Sequence, residues 1–219
     1  MAKKKVARYL MEEAAAREAA EAVARVAENH DPLVAQVLAT PVRMTRDGND
    51  EEILNHDVAL LGADKKIERD VNGNINKVPV TETYTYHKKH REQHEPGSGL
   101  WTVSKEKEKE SFQNCRANGA FTKWKTNTHK GWGLIFDANS SVPAILGQGV
   151  DHEGNMSDVK VCKFVEGNAQ RWHGYPINYR SLNEETICDS AFEYWEKTLN
   201  VIDKSDINDI KNKEESPLS

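Results

Sequence analysis

Apolar side chains near the start of the chain recur at steps of three and four residues. The recurring positions are Val6, Tyr9, Leu10, Ala16, Ala19, Ala20, Val23, Val26 and Ala27. This period predicts an amphipathic helix from about Lys4 to Glu28. Most of its apolar face is alanine, which suits close approach to another helix. The pattern therefore predicts a homo-oligomer assembled through residues 4–28, with packing inside a single domain as the alternative.

A break follows this helix, and the next segment is ambiguous. Asp31 followed by Pro32 is typical of a helix N-cap with proline at the first position, and predicts a short helix through Leu38. Residues 42–64 contain the turn RDGND and then EEILNHDVALLGAD, which is consistent with a helix that ends at Gly62.

The period changes to two in the segment KKIERDVNGNINKVPVTETYTYH. The pair Asn72-Gly73 is a favoured hairpin turn, so we predict a β-hairpin over residues 65–87. Asp70, Asn72 and Asn74 are spaced like calcium ligands, but Ile75 stands where an EF-hand loop requires glycine. The turn is the better interpretation.

The second half of the chain contains further strand patterns. Leu100 to Val103 predicts a short strand, and Ser104 caps a predicted helix that ends before Gly119. The segment GWGLIFDANSSVPAILGQGV predicts two strands around the polar loop 137–141, and DVKVCKFVEG predicts a third. We expect these three strands to form an antiparallel meander at the core of the fold.

A capping box of Ser181 and Glu184 predicts a helix that covers this sheet, and the polar residues after it predict a frayed tail. The expected fold class is therefore α+β, with an antiparallel sheet of one hairpin and one three-stranded meander covered by two helices. Three regions are expected: an alanine-rich helical element at 1–44, an α+β domain at 45–202 and a polar tail at 203–219.

Composition narrows the class of protein. The 219 residues are 37% hydrophobic and 30% charged, typical of a globular chain. Three cysteines without a CxxC pair favour a reducing compartment, and Glu12 with Glu13 interrupts what would otherwise be a signal peptide, so a cytoplasmic location is expected. No run of about 18 apolar residues is present, so membrane insertion is not expected.

The first candidate site is the segment RWHGYPIN, expected as a loop between the last strand and the covering helix. In a catalytic site His173 would be the general acid or base, Arg171 an anion clamp and Tyr175 a hydrogen-bond donor. Trp172 would exclude water or contact the ligand. The alternative is structural, with Trp172 and Tyr175 as core aromatic residues.

The second candidate is HKKHREQHE. If this segment is helical, His87, His90 and His94 share one face and form a candidate site for zinc or another divalent metal. The preceding TETYTYH alternates as a strand, which favours a charged connection instead. No cofactor is predicted, and a divalent metal stays open as an alternative.

The third candidate is FTKWKTNTHKGW, which has no acidic residue and interleaves cations with aromatic rings. The candidate ligand-binding residues in it are Lys123, Trp124, Lys125, Lys130 and Trp132. Lysines neutralise phosphates and aromatic rings stack on bases, so the pattern predicts contact with a nucleotide or nucleic acid. A basic edge strand protected from aggregation is the alternative.

Several enzyme classes lack their motifs in this chain. There is no GxxxxGK[ST], no GxGxxG after a strand and no GxSxG, which disfavours ATPases, dehydrogenases and α/β-hydrolases. The leading hypothesis is a binding protein that recognises a phosphate-bearing ligand or nucleic acid through residues 121–132 and 171–180. The alternatives are a hydrolase or nuclease that uses His173 with Arg171, with or without a metal, and a structural subunit assembled through the N-terminal helix.

Overall fold

The computed structural model describes residues 43–45, 48–64, 66–92, 99–125, 128–137, 140–151, 153–181 and 187–218. The predicted helices at 4–28 and 31–38 lie outside these residues, as does His94. Within the described part of the chain, none of the helices is long and apolar enough to cross a membrane.

The fold is mixed α+β and contains two sheets. In chain order the strands are β1 Arg43–Met44, β2 Asp50–Ala59, β3 Lys77–Tyr86, β4 Leu100–Trp101, β5 Phe121–Lys125, β6 Thr128–Gly133, β7 Gly147–Val150, β8 Met156–Val159, β9 Val161–Glu166 and β10 Arg171–Ile177. Seven of them form a large sheet in the order β1-β2-β3-β10-β9-β6-β5, and the other three form an antiparallel sheet in the order β4-β7-β8.

Among the described residues, three α-helices accompany the sheets: α1 Lys105–Ala117, α2 Asp189–Glu193 and α3 Lys204–Asn212. A π-helical turn, Tyr194–Thr198, follows α2, and short 3-10 turns occupy Lys88–His90, Asn168–Gln170 and Tyr179–Ser181. The prediction for α1 is confirmed. The Ser104 side chain accepts a hydrogen bond from the backbone N–H of Lys107, and Gly119 follows the helix with a φ of +75°.

The core lies between α1 and one face of the large sheet. Phe112 of α1 contacts three aromatic rings of the sheet at centroid distances of 4.8 to 5.3 Å, those of Tyr84, Phe164 and Trp172. All four side chains are fully buried. This packing sets which face of β3, β9 and β10 points inward, because side chains alternate between the two faces of a strand.

Residues 50–59 form a strand, so the helix considered for that segment is wrong. Leu54 and Val58 point into the core on β2. Their separation of four residues fits one face of a helix and also one face of a strand, which is why periodicity did not decide between the two.

The hairpin predicted for residues 65–87 is only partly correct. The turn is present: Gly73 has a φ of +85°, and the Asp70 carboxylate accepts hydrogen bonds from the backbone N–H groups of Asn72 and Asn74. However, β3 pairs along its whole length with β2, from Ala59 opposite Lys77 to Asp50 opposite Tyr86.

The predicted three-stranded meander is also wrong. β6 and β9 pair in the large sheet, whereas β7 and β8 belong to the small one. The segment DVKVCKFVEG divides at Lys160 between β8 and β9. An alternating pattern indicates that a segment is a strand but does not identify the strand with which it pairs.

RWHGYPIN is a central strand instead of the predicted loop. β10 runs antiparallel to β9 and parallel to β3, with Trp172 opposite Tyr84, so the large sheet is mixed. Glycine and proline disfavour strands in general. Here a Cβ atom on Gly174 would lie 2.6 Å from the Tyr84 hydroxyl oxygen and from Phe164, so the close packing of the sheet requires glycine at this position.

The C-terminal region is ordered, which corrects the prediction of a frayed tail. Asp203 and Asp206 form a reciprocal capping box at the start of α3, and Ile210 and Leu218 are buried. The Tyr179 hydroxyl donates to the carbonyl of Glu214. The helix α2 begins at Asp189, after Cys188 at the N-cap position, and residues 182–186 of the predicted covering helix lie outside the described residues.

Candidate functional site

β10 presents different side chains to its two faces. Trp172, Gly174 and Pro176 are buried on the α1 side, and Trp172 contacts Phe112 there. Because side chains alternate, Arg171, His173 and Tyr175 share the opposite face. His173 and Tyr175 are partly buried on that face, and Arg171 is exposed. The three residues proposed for chemistry therefore lie together on one surface.

Two histidines from another part of the chain join this surface. The ring centroids of His87 and His173 are 4.7 Å apart, and those of His87 and His90 are 6.2 Å apart. The Tyr175 ring stacks on His90 at 5.1 Å and also faces His173 at 6.2 Å. We call His87, His90, His173 and Tyr175 the histidine cluster.

The topology explains this convergence. His87 directly follows β3, which runs parallel to β10, and the register places the end of β3 beside the middle of β10. The turn Lys88–His90 then folds the chain back, and His90 Nδ1 donates to the carbonyl oxygen of Gly99 at 2.9 Å. Since a carbonyl only accepts, this bond leaves the lone pair of the neutral imidazole on Nε2.

Gly99 is held close to β10. A Cβ atom at this position would lie 1.9 Å from the carbonyl oxygen of Pro176. Only glycine, which has no Cβ atom, can approach the Pro176 backbone so closely. The Gly99 carbonyl group, which accepts the hydrogen bond from His90, is thus held against β10, the strand that carries His173 and Tyr175.

Two cavities flank His173. The first, which we call the Arg171 cavity, has a volume of about 390 Å³, and its lining includes Asn49, Glu51, His87, Asn168, Arg171 and His173. The second, the Tyr175 cavity, has a volume of about 400 Å³, and its lining includes Lys89, His90, His173, Tyr175, Asn178 and Ser181. His173 lies between them and contributes to both.

The buried imidazoles of the cluster are neutral at neutral pH. Burial, reinforced by neighbouring His87, His90 and Lys89, lowers the pKa of His173 to about 3. Burial also lowers the pKa of His90 to about 4, although the bond to Gly99 opposes the shift. Each ring therefore offers one N–H donor and one nitrogen acceptor.

Arg171 supplies a positive charge at the mouth of the first cavity. Its side chain is 59% exposed, and its Nη1 lies 3.3 Å from a carboxylate oxygen of Glu51. Thr85 donates to the same Glu51 oxygen at 3.4 Å. The Glu51 carboxylate therefore helps to hold the guanidinium at this position and also competes with any incoming anion.

The basic and aromatic residues of 121–132 do not form one exposed surface. Lys123 is exposed, but Lys130 is 5% and Trp132 2% exposed. The side chains of Trp124 and Lys125 lie outside the described residues. Trp172 is fully buried, and its Nε1 donates to Glu82 at 3.1 Å. Stacking on a base requires an exposed ring face, which neither Trp132 nor Trp172 has.

The predicted metal set is brought together only in part. His87 and His90 are neighbours and His173 joins them, whereas His94 is outside the described residues. Among the side chains that the structure describes, no group of three or more His, Cys, Asp or Glu has an arrangement suited to a metal ion.

A set of buried charged side chains on the α1 side of the sheet was not predicted from the sequence. Glu82 accepts hydrogen bonds from His56, Arg116 and Trp172. Although burial opposes it, the bonds from His56 and Arg116 hold the pKa of Glu82 below its usual value.

A second buried carboxylate, Glu108, lies on α1 in the run KEKEKE. It is 1% exposed, whereas alternating charges in a helix are typical of solvent-exposed positions. No local signal in the sequence separates Glu108 from its exposed neighbours.

Comparison of the chain with protein-family models, curated proteins and solved structures finds no match.

Proposed function

We propose that this protein binds a small phosphate-bearing ligand, with the phosphate in the Arg171 cavity. The observation that supports it best is that one guanidinium and two imidazoles, those of Arg171, His87 and His173, line the same cavity. Arginine recognises phosphate through paired N–H groups, and an imidazole N–H is a further type of donor to phosphate.

Binding of an anion here would also change the charge of the site. A negative group beside His173 favours the protonated imidazole and raises the pKa of that ring. His173 would then gain positive charge when the phosphate enters. We therefore expect binding to be accompanied by proton uptake.

An acid or base role for His173 has less support. Efficient proton transfer requires a pKa near the working pH, whereas burial lowers that of His173 to about 3. At neutral pH such a ring is a weak base and carries no proton to donate as an acid. This favours binding over the hydrolase or nuclease alternative.

Recognition of nucleic acid through residues 121–132 also has less support. Of the cations and aromatic rings proposed for that role, Lys130, Trp132 and Trp172 are buried. A cavity of about 390 Å³ fits a small ligand better than a strand of nucleic acid, which needs an extended groove.

Calorimetric titration of the whole protein with pyrophosphate, ADP and a single-stranded oligonucleotide tests the proposal. We expect pyrophosphate or ADP to bind, and Arg171→Ala to weaken binding about tenfold, as for a lost charge-assisted hydrogen bond. Lys123→Ala removes an exposed cation outside the cavity and is the matched control.

Absence of binding by either phosphate probe would contradict the proposal, as would an unchanged affinity in Arg171→Ala. Oligonucleotide binding weakened by Lys123→Ala but unaffected by Arg171→Ala would assign the function to residues 121–132 instead.

A further inference from the structure

Glu108 connects α1 to the segment that carries two members of the histidine cluster. Its carboxylate accepts a hydrogen bond from the Tyr84 hydroxyl at 2.7 Å and from Arg91 Nε at 3.0 Å, and Arg91 Nη2 also contacts it. The Glu108 side chain is 1% exposed and that of Arg91 14%. A buried ion pair of this kind fixes both partners, because separating them leaves a charge without compensation.

Arg91 directly follows the turn Lys88–His90. Its backbone N–H donates to the carbonyl of Lys88 at 2.9 Å, and its Nη1 donates to the carbonyl of Val103 at 3.0 Å. The guanidinium is therefore held by α1 and by the residues before it, while its backbone closes the turn. Movement of Arg91 would move His90, which is adjacent in the chain.

We infer that Glu108 is a positioning residue for the candidate site: through Arg91 it holds the turn 88–91, and with it the His90 ring that stacks on Tyr175. Its influence on ligand affinity rests on the proposed function. Its influence on the arrangement of the histidine rings does not, and the two can be measured separately.

The surroundings of Glu108 make this link sensitive to pH. The charged or titratable groups that act on it are Tyr84 and Tyr86 of β3, Arg91, Lys105 of α1 and Cys162 of β9. Burial raises the pKa of Glu108 to about 7, against the opposing charge of Arg91. Protonation near neutral pH would weaken the attraction for Arg91 and loosen the turn.

A matched control lies on β2, in Glu52. Glu52 accepts a hydrogen bond from the Tyr86 hydroxyl at 2.8 Å and from Lys109 Nζ at 2.9 Å. It therefore repeats the arrangement of a carboxylate, a tyrosine and a cation between α1 and the sheet. Its cation lies on α1 and not on the turn 88–91.

The test is the NMR spectrum of the histidine side chains in the whole protein without ligand. In Glu108→Gln we expect the imidazole signals of His87, His90 and His173 to shift, whereas Glu52→Gln should leave them as in the wild type. Arg91→Met removes the other partner of the Glu108–Arg91 ion pair and should produce the same shifts. With pyrophosphate as probe, both variants should bind about fivefold more weakly, typical for a network residue that does not touch the ligand.

Unchanged histidine signals in folded Glu108→Gln and Arg91→Met would overturn the inference. If the wild type binds no phosphate probe while the signals still shift, the proposed function fails and the positioning role stands. If neither variant folds, titration of the wild type decides: the His90 signal should show a step near pH 7, far from its own pKa of about 4, and absence of that step would overturn the inference.

Discussion

The imidazole rings of His87 and His173 lie 4.7 Å apart, centroid to centroid, at 79° to one another. His87 directly follows β3, and His173 lies within β10. The two strands pair in parallel, so the end of β3 lies beside the middle of β10. Both rings of this edge-to-face pair line the Arg171 cavity. The candidate site is thus a product of strand pairing, because His87 and His173 are distant in the sequence.

Glu51 should limit the affinity of the Arg171 cavity for anions. Its carboxylate lies 3.3 Å from Arg171 and would repel an incoming phosphate. We expect Glu51→Gln to strengthen pyrophosphate binding about three- to tenfold, because a like charge at the site is removed. Calorimetric titration measures this, and Asp137→Gln provides an exposed control away from the cavity. Weaker binding in Glu51→Gln would mean that the carboxylate matters chiefly for holding Arg171.

Stability should fall as the solution is acidified, in part because of His90 and His173. Burial lowers both pKa values from 6.5, to about 4 and about 3. Below pH 6.5 the unfolded chain binds protons that the folded protein does not, so stability present above pH 6.5 is lost as the pH falls toward these values. Each histidine contributes up to about 1.4 kcal/mol per pH unit over this window.

Urea unfolding measured between pH 4 and pH 8 tests this dependence. His173→Gln should flatten the rise of the unfolding free energy between pH 4 and pH 6.5, and Lys123→Gln should not. An unchanged slope in His173→Gln would show that the ring is protonated in the folded protein.

Glu108 should contribute a dependence of opposite sign. Its pKa is raised from 4.5 to about 7, so the folded protein holds a proton that the unfolded chain releases. The stability that this carboxyl contributes is present below pH 4.5 and is lost as the pH rises through 7. The free energy of unfolding of the wild type, relative to Glu108→Gln, should therefore decrease by about 2 to 3 kcal/mol between pH 4.5 and pH 7. A difference that does not vary with pH would contradict the raised pKa.

Gly99→Ala should destabilise the protein and disturb His90. The added Cβ atom would lie 1.9 Å from the Pro176 carbonyl oxygen, so backbone must move, at a cost of about 1 to 3 kcal/mol. The acceptor of the His90 hydrogen bond would move with it. Urea unfolding and the His90 NMR signal are the measurements. Gly167→Ala is the control, because its Cβ would meet only one atom, at an ordinary distance of 3.5 Å.

Assembly through residues 4–28 stays a prediction from the alanine-rich pattern. Native mass spectrometry should give an oligomer for the wild type and a lower subunit number for Ala19→Glu, because a charge on a small-residue face opposes close helix contact. Glu21→Gln, on the polar side of the predicted helix, should leave the mass unchanged. A monomeric wild type would contradict the prediction, and the same spectrum would reveal a bound metal or nucleotide.

Local signals in the sequence determined the elements that depend on neighbours in the chain. Ser104 and Gly119 define the ends of α1, and the Asp70 to Gly73 turn forms where Asn-Gly predicts one. Caps and turns are stabilised by bonds within a few residues, so their residue types are sufficient evidence. The candidate residues Arg171, His173 and Tyr175 were also identified from their chemistry.

Only the tertiary structure decided how these residues are placed. β10 carries a glycine and a proline and was predicted as a loop, but packing against Tyr84 and Phe164 stabilises it as a strand. The burial of Glu108 and of Trp132, and the contact of His173 with His87, follow from pairings between distant segments. A period of two predicts which side chains share a face, but the free energy that selects the partner strand comes from long-range packing, which no local pattern records.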